Sequence, residues 1–92
     1  MDVLKLVRNP RITRSEIGGE VLLHSVNSEQ IHYLNATASL IWDLCDGQHT
    51  LEDMETALRA SFAIPAEADV QADIQHTLES LVDKGLLLPS ED

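Results

Sequence analysis

The hydrophobic period changes at Asn35, and this change divides the chain into a strand-forming part and a helix-forming part. From there on, apolar side chains recur three and four residues apart, at Ala38, Ile41, Trp42 and Cys45. This is the spacing of one face of a helix. The side-chain oxygen of Asn35 can accept from the free amides of the first turn, so we expect it to be the N-cap. Any sheet must therefore come mainly from the residues before Asn35.

Three segments before Asn35 have the character of short strands. The first, residues 12–17, ends at Gly18-Gly19, and a Gly-Gly pair between extendable segments indicates a hairpin because both turn positions tolerate positive φ. The second spans residues 20–26, the third residues 30–34, and Asn27-Ser28 between them has turn chemistry. Connections this short join antiparallel neighbours. The sequence predicts a three-stranded antiparallel meander.

Two more helices follow the one that begins after Asn35. We expect Thr50 to cap the second helix, with Asp53 in the position of a capping box. The third and longest helix is predicted from about Glu67 to Lys84, and Gly85 ends it. A short extended segment over residues 86–88 can follow. The apolar stripe of the third helix is predicted to contain Val70, Ile74, Leu78, Leu81 and Val82.

The composition describes one small acidic domain over residues 1–92, with a body of about 8–88 and flexible ends. The chain has 92 residues, six Lys and Arg, sixteen Asp and Glu, and a net charge of −10. Such a charge repels phosphates, so it argues against nucleic acid and against an anionic membrane, and favours a basic or neutral partner, although it can also serve solubility alone. No apolar run approaches the length of a membrane span, and no signal peptide is evident. We expect a cytoplasmic protein.

The residues that carry chemistry do not form a catalytic pattern. Cys45 lies on the apolar face of the first helix without a neighbouring base, which indicates an inert buried thiol. The four histidines lack the spacing of metal ligands, and a domain this small has little room for a deep pocket. We expect no enzyme activity, no cofactor and no metal. The histidines are His24, His32, His49 and His76.

The predicted sheet has two edges, and these offer a binding surface. A bare edge can accept another chain as an added strand, with backbone hydrogen bonds supplying affinity. The chain's own termini or a second copy of the protein can also cover an edge. A homodimer, or a purely structural dimerisation module, therefore stays open.

Residues 33–50 resemble the hallmark of the PqqD family, the small proteins of pyrroloquinoline quinone biosynthesis and their relatives. The features that carry the resemblance are Leu-Asn at 34–35, Asp-Gly-x-x-Thr at 46–50 and, further on, Lys-Gly-Leu-Leu at 84–87. The likeness extends over about residues 8–88. It implies a small winged-helix-like α+β domain, with the N-terminal three-stranded antiparallel sheet followed by three helices.

The resemblance also implies a function, that of a peptide chaperone. Members of the family bind the leader of a ribosomally made precursor peptide and present it to a modifying enzyme, which in the quinone pathway is a radical S-adenosylmethionine enzyme. The precursor here can be that of the quinone or of another modified peptide. The leader is expected to add to the third strand beside the third helix. The implied peptide-binding residues are Glu29, Gln30, Ile31, His32 and Tyr33 on the strand, and Val70, Asp73, Ile74, Thr77, Leu78 and Leu81 on the helix.

A winged-helix nucleic-acid-binding protein is the main alternative, because three helices and a small sheet can also form a DNA-reading domain. The charge of the third helix discriminates between the two functions. Residues 67–83 contain no Lys or Arg and five acids, and such a surface repels phosphates.

Overall fold

The computed structural model describes residues 5–25 and 29–89. A three-stranded antiparallel sheet has the order β2-β3-β4, and β1 pairs with β5 in a separate two-stranded sheet. The predicted α+β class, with a three-stranded antiparallel sheet followed by three helices, is confirmed. The elements are β1 (Leu6–Arg8), β2 (Ile12–Ile17), β3 (Glu20–Ser25), β4 (Ile31–Leu34), α1 (Ala36–Asp43), α2 (Leu51–Ser61), α3 (Val70–Asp83) and β5 (Leu87–Pro89).

The hairpin between β2 and β3 has the predicted two-residue turn. Gly18 and Gly19 adopt φ values of +58° and +83°, and Ile17 pairs with Glu20 across the turn. Two consecutive positive φ angles match the right-handed twist of the flanking strands, and glycine reaches them without a Cβ penalty. The predicted turn at Asn27-Ser28 lies outside the described residues, as does the last residue of the second predicted strand.

The first two helices begin at the predicted caps. Asn35 Oδ1 accepts from the Ala38 amide at 2.8 Å. At the start of α2, the Thr50 hydroxyl accepts from the Asp53 amide at 3.0 Å, and the Asp53 carboxylate accepts from the Thr50 amide, also at 3.0 Å. These reciprocal bonds form a capping box, which satisfies two amides that the helix leaves free.

The third helix differs from its prediction in its first residue and in its apolar stripe. It begins at Val70 rather than near Glu67, because a turn closed from the Ala68 amide to the Pro65 carbonyl precedes it and Asp69 caps it. Val82 was expected in the apolar stripe but is 38% exposed. Adjacent helical residues point about 100° apart, so once Leu81 faces the core its neighbour turns toward solvent.

The end of α3 redirects the chain into β5. Gly85 has φ +74°, and the Leu86 amide donates to the Leu81 carbonyl while the Gly85 amide donates to that of Val82, both at 2.9 Å. These two bonds form a Schellman motif, which needs a left-handed residue at the glycine position. The turn delivers Leu86 into the core, where it is fully buried.

The two-stranded sheet was not predicted from the sequence. Its first strand is three residues long, and Val7 pairs with Leu88 and bridges to Asp46. The Arg8 amide also donates to the Cys45 carbonyl at 3.0 Å. A segment this short shows no period, and its partner strand lies about eighty residues away, so local sequence carries no signal for it. The pairing holds the first and last described strands together.

The core lies between the inner face of the sheet and the three helices. Trp42 is 4% exposed, as predicted, and its indole N–H donates to the Leu86 carbonyl at 3.0 Å. The Arg8 guanidinium lies 5.8 Å from the centre of the Trp42 ring. The buried apolar residues are Val21, Leu23, Leu34, Ile41, Trp42, Cys45, Met54, Leu58, Val70, Ile74, Leu78, Leu81, Leu86 and Leu87.

We predict that Trp42→Ala lowers the free energy of unfolding by about 3–5 kcal/mol, because it leaves a cavity and removes the indole bond. Trp42→Phe should cost less, since the ring volume is largely kept. Urea denaturation followed by circular dichroism measures both. Tyr33→Ala is the control, because that side chain is 68% exposed and its loss should cost no more than about 0.5 kcal/mol. Equal destabilisation by Trp42→Ala and Tyr33→Ala would contradict the placement of Trp42 in the core.

Candidate functional site

Strand β4 has one open edge in the described part of the chain. It pairs with β3 through residues 31–34, and no described strand pairs with its other side. The C-terminal half of α3 lies beside the end of this strand, because Leu34 lines one groove together with Ser80 and Leu81. An open ladder of backbone groups next to a helix is the geometry of a site for strand addition.

A groove of about 320 Å³ runs between the end of β4 and α3. We call it the edge groove. The strand supplies one wall and the helix the opposite wall, and the first turn of α1 closes one end. The lining residues are Tyr33, Leu34, Asn35, Ala38, His76, Thr77, Ser80, Leu81 and Lys84.

The wall that α3 contributes to the edge groove carries no carboxylate. Two of the acids of the helix, Glu79 and Asp83, lie instead on another surface, beside Leu6 and Val82. Within the described residues Lys84 makes no ion pair. The acidic side chains Glu79 and Asp83 therefore lie on a different side of the helix from the groove, and the groove is less acidic than the net charge of −10 suggests. The expectation of a basic or neutral partner describes the chain as a whole but does not extend to this groove.

Polar groups at the groove have defined hydrogen bonds. Asn35 Oδ1 accepts from both the Ala38 amide at 2.8 Å and the Thr37 hydroxyl at 2.9 Å. The Thr77 hydroxyl donates to the Asp73 carbonyl at 3.0 Å, so its oxygen can still accept. The Asn35 carboxamide is therefore held in one orientation at the closed end of the groove.

A second pocket, of about 300 Å³, lies between α1, the α2–α3 connection and the start of α3. We call it the apolar pocket, because most of its lining is hydrocarbon. Thr77 lines both this pocket and the edge groove, so the two are adjacent along α3. The lining residues are Thr37, Ile41, Leu58, Ile64, Pro65, Ala68, Val70, Asp73, Ile74 and Thr77.

The strand residues implied by the family resemblance lie at or near the open edge. Ile31 and Tyr33 are exposed, at 51% and 68%, and point away from the core. His32 is half-buried on the inner side of the strand, and Glu29 and Gln30 are exposed in the segment just before it. Tyr33 alone among these five lines the edge groove.

The helix residues implied by the resemblance divide into core and surface. Asp73 is exposed and Thr77 half-buried, so these two offer accessible side chains. Leu78 lies away from the groove, near Leu6 and Val82. Val70, Ile74 and Leu81 are buried, so they can form only the floor of the edge groove or of the apolar pocket. Val70, Ile74, Leu78 and Leu81 are 4%, 0%, 6% and 2% exposed.

Six lining residues of the edge groove were not identified from the sequence. Three of them lie on α3 or at its end, at four-residue intervals that place them on the helical face beside Thr77. That spacing was available in the sequence once Thr77 was chosen, but the packing direction of the helix was not. The six residues are Leu34, Asn35, Ala38, His76, Ser80 and Lys84.

The described residues contain no recognisable catalytic arrangement of side chains. Burial raises the pKa of the Cys45 thiol from 9.0 to about 12, although the Arg8 charge partly opposes this, and the thiol donates to the Ile41 carbonyl at 3.2 Å. The His49 ring bonds Asp46 Oδ1 at 2.8 Å and lowers the pKa of that carboxyl, which ties the α1–α2 turn together. No cluster of metal-ligating side chains occurs among residues 5–25 and 29–89, and no helix there is long and apolar enough to span a membrane.

Comparison with known proteins adds a family and a set of folds. The family model described as Coenzyme PQQ synthesis protein D (PqqD) matches residues 19–87. A comparison with curated protein sequences gave no match.

Three solved structures are similar to the fold. TbiB1 in complex with the TbiA(beta) leader peptide is 24% identical, with a TM-score of 0.75 over 94% of this chain and 99% of that chain. Lasso peptide synthetase B1 complexed with the leader peptide is 25% identical, with a TM-score of 0.77 over 92% and 99%. The heterocyclase TruD is 24% identical, with a TM-score of 0.60 over 90% of this chain but 11% of its own.

We predict that Cys45 does not react with a thiol reagent such as Ellman's reagent in the native protein at pH 8, because its thiolate is scarce and buried. In urea it should react stoichiometrically. The raised pKa also stabilises the fold below about pH 9, and this contribution should be lost as the pH rises toward 12. Cys45→Ala is the control for both measurements. Rapid stoichiometric labelling of folded protein would contradict this environment.

Proposed function

Because the chain belongs to the family of coenzyme PQQ synthesis protein D, we propose that it binds the leader of a ribosomally made precursor peptide and presents it to a modifying enzyme. In this role it has no catalytic activity of its own. The observation that carries the proposal is the open edge of β4 beside the edge groove. Two proteins of similar fold are described as complexes with leader peptides, which supports the same role here.

The backbone of β4 supplies the main contacts in this proposal. An extended leader segment pairs with residues 31–34 and makes the sheet four strands wide. Alternate side chains of the segment then point into the edge groove and toward solvent. Backbone bonds provide affinity without regard to sequence, whereas the groove selects particular side chains. The small lining residues Ala38 and Ser80 leave the groove room for them.

Strand β2 forms the other edge of the sheet but is a poorer site. Five of its six residues are exposed, including Arg14 and Glu16 on its inner side. Strand β2 meets α1 through the ion pair of Arg14 and Asp43, whereas α3 stands beside β4 across the edge groove. A strand added to β2 would gain backbone bonds but little side-chain burial, and burial is the larger stabilising term. These differences support β4 rather than β2 as the strand that the peptide joins.

The nucleic-acid alternative is not supported. A winged-helix domain that reads DNA presents cations to the phosphates. Among the described residues, the guanidinium groups of Arg14 and Arg59 pair with Asp43 and Glu55, so much of their charge is compensated within the protein. Helix α3 itself, residues 70–83, contains no Lys or Arg.

The proposal also concerns which modifying enzyme and which pathway this protein serves. The family description names coenzyme PQQ synthesis, and for that pathway the family resemblance implies a radical S-adenosylmethionine enzyme as the partner. The solved structures of similar fold come from a lasso peptide synthetase and a heterocyclase, which favours a different modified peptide. The homodimer also stays a prediction, and the open edge of β2 is where a second copy fits without displacing the peptide. A cytoplasmic location is part of the same proposal, and the single cysteine, which cannot form an internal disulfide, supports it.

Calorimetric titration with the leader of the precursor encoded beside this gene tests the function. We expect one-to-one binding with a Kd in the micromolar range or below, about −8 kcal/mol or stronger. Single N-methyl groups along the peptide backbone test strand addition, because each removes one donor. The losses of affinity should alternate with a period of two, since alternate amides face β4. Uniform tolerance of N-methylation would refute strand pairing, and absence of binding would refute the function.

Blocking the edge groove should abolish binding without unfolding the protein. Ser80→Trp places a large ring in the groove, and we expect at least a tenfold loss of leader affinity. Its control is Glu79→Trp, because Glu79 is the adjacent residue but lies on the surface away from the groove. That variant should bind within twofold of the parent protein. Thermal melting confirms that both are folded. Equal affinity of the two variants would place the peptide elsewhere.

A further inference from the structure

The three-stranded sheet has one face that points away from the core, and we call it the outer face. It is exposed and partly apolar. Cross-strand pairing places Ser15, Leu22 and Tyr33 in one row, and Thr13, His24 and Ile31 in the next. Ile17 and Glu20 complete the face at the hairpin. The side chains of Val21, Leu23 and Leu34 point to the opposite face and are buried. No element of the described chain covers the outer face, as its exposures show.

Large apolar side chains are concentrated on the outer face. The described residues include five exposed large apolar side chains, and three of these lie here: Ile17 at 65%, Ile31 at 51% and Tyr33 at 68%. Leu22 lies between them and is half-buried. Contiguous exposed apolar surface of this kind is uncommon on monomers and marks interaction sites. Tyrosine in particular is enriched at the centre of protein interfaces.

The charge of the outer face differs from that of the rest of the protein. The chain has sixteen acids and a net charge of −10, yet Glu20 is the one carboxylate among the eight residues of this face. Interface centres are depleted of charge in the same way. A second copy of the chain would bring another −10 toward the first, and the two acidic bodies would repel each other. The charges therefore favour a neutral or basic partner over self-association.

The outer face is too small to form a stable interface by itself. Three strands about 4.8 Å apart and about six residues long cover roughly 300 Å². A standard interface takes about 800 Å² from each partner. A peptide strand added to β4 would widen the same surface by about a third, and its alternate side chains would lie beside Ile31 and Tyr33. The loaded protein thus presents a larger surface than the free one.

We propose that the modifying enzyme docks on the outer face and contacts both the protein's apolar side chains and the outward side chains of the bound leader. This inference rests on the proposed function. It explains how an enzyme distinguishes loaded from unloaded protein without a conformational change, because the peptide itself completes the docking surface. The partner is a protein with an apolar patch bordered by neutral or basic residues.

Ile17→Glu tests this docking surface. Ile17 lies on β2, the edge strand opposite the peptide, so the variant should bind leader within twofold of the parent. Its loaded complex should bind the modifying enzyme encoded beside this gene at least tenfold more weakly, as measured by biolayer interferometry. Thr13→Glu, at the other end of the same face, should act in the same direction. The parent protein should bind the enzyme more tightly with leader than without it.

Val82→Glu is the matched control, because it puts the same charge at an exposed apolar residue on α3, away from the outer face. It should leave enzyme affinity unchanged, and thermal melting checks that all variants are folded. Unchanged enzyme affinity in Ile17→Glu and Thr13→Glu overturns the docking site while leaving leader binding intact. A tenfold loss of leader affinity in Ile17→Glu also overturns it, since the peptide would then occupy the face. A parent dimer that Ile17→Glu dissociates in light scattering overturns it in favour of a second copy.

Discussion

The carbonyl oxygen of Leu86 joins three parts of the chain that are distant in sequence. It accepts from the indole N–H of Trp42 at 3.0 Å and from the amide of Asn9 at 3.2 Å. Leu86 itself is fully buried, so its carbonyl would be costly to leave unpaired. The left-handed Gly85 at the end of α3 aims this carbonyl, and the Asn9 side chain donates to the Gly85 carbonyl at 2.8 Å. The first helix, the segment after β1 and the segment before β5 thus meet at one backbone group.

This junction also positions the candidate site. The end of α3 is held by the Schellman bonds to Leu81 and Val82, and the helix therefore presents a fixed wall to the edge groove. On the other side of α1, Arg14 makes two hydrogen bonds with the Asp43 carboxylate, at 3.1 and 3.2 Å. This pair connects the sheet to the same helix. The groove lies between two elements that are each tied to α1, so its width follows from the core rather than from the peptide.

The division of surfaces suits a protein that binds two partners. The edge of β4 offers backbone groups to a peptide, whereas the outer face offers side chains to a protein. Acidic residues are spread over the remainder, and this keeps the apolar parts from associating indiscriminately. The same sheet can take part in both contacts because strand addition uses its edge and docking uses its face.

The local elements of this protein can be predicted from short stretches of its sequence. Gly18-Gly19 specified the hairpin, Asn35 and Thr50 specified two helix starts, and Gly85 specified a helix end, because each acts through neighbouring backbone groups. The burial of Trp42 and Cys45 also followed from helical spacing. The family resemblance pointed to the open strand that became β4. These signals are local, so a linear sequence is sufficient to carry them.

The contacts between distant elements depend on the packing of the whole fold. It paired Leu6–Arg8 with β5, turned Val82 outward, and placed Ser80 and Lys84 opposite β4. It also buried Val70, Ile74, Leu78 and Leu81, four of the six helix residues that the resemblance implied. The helical spacing indicates which side chains share an apolar stripe. Whether each of them faces the core or the groove depends on how α3 is rotated about its own axis against the sheet. That rotation results from packing over the whole core, which no local spacing records.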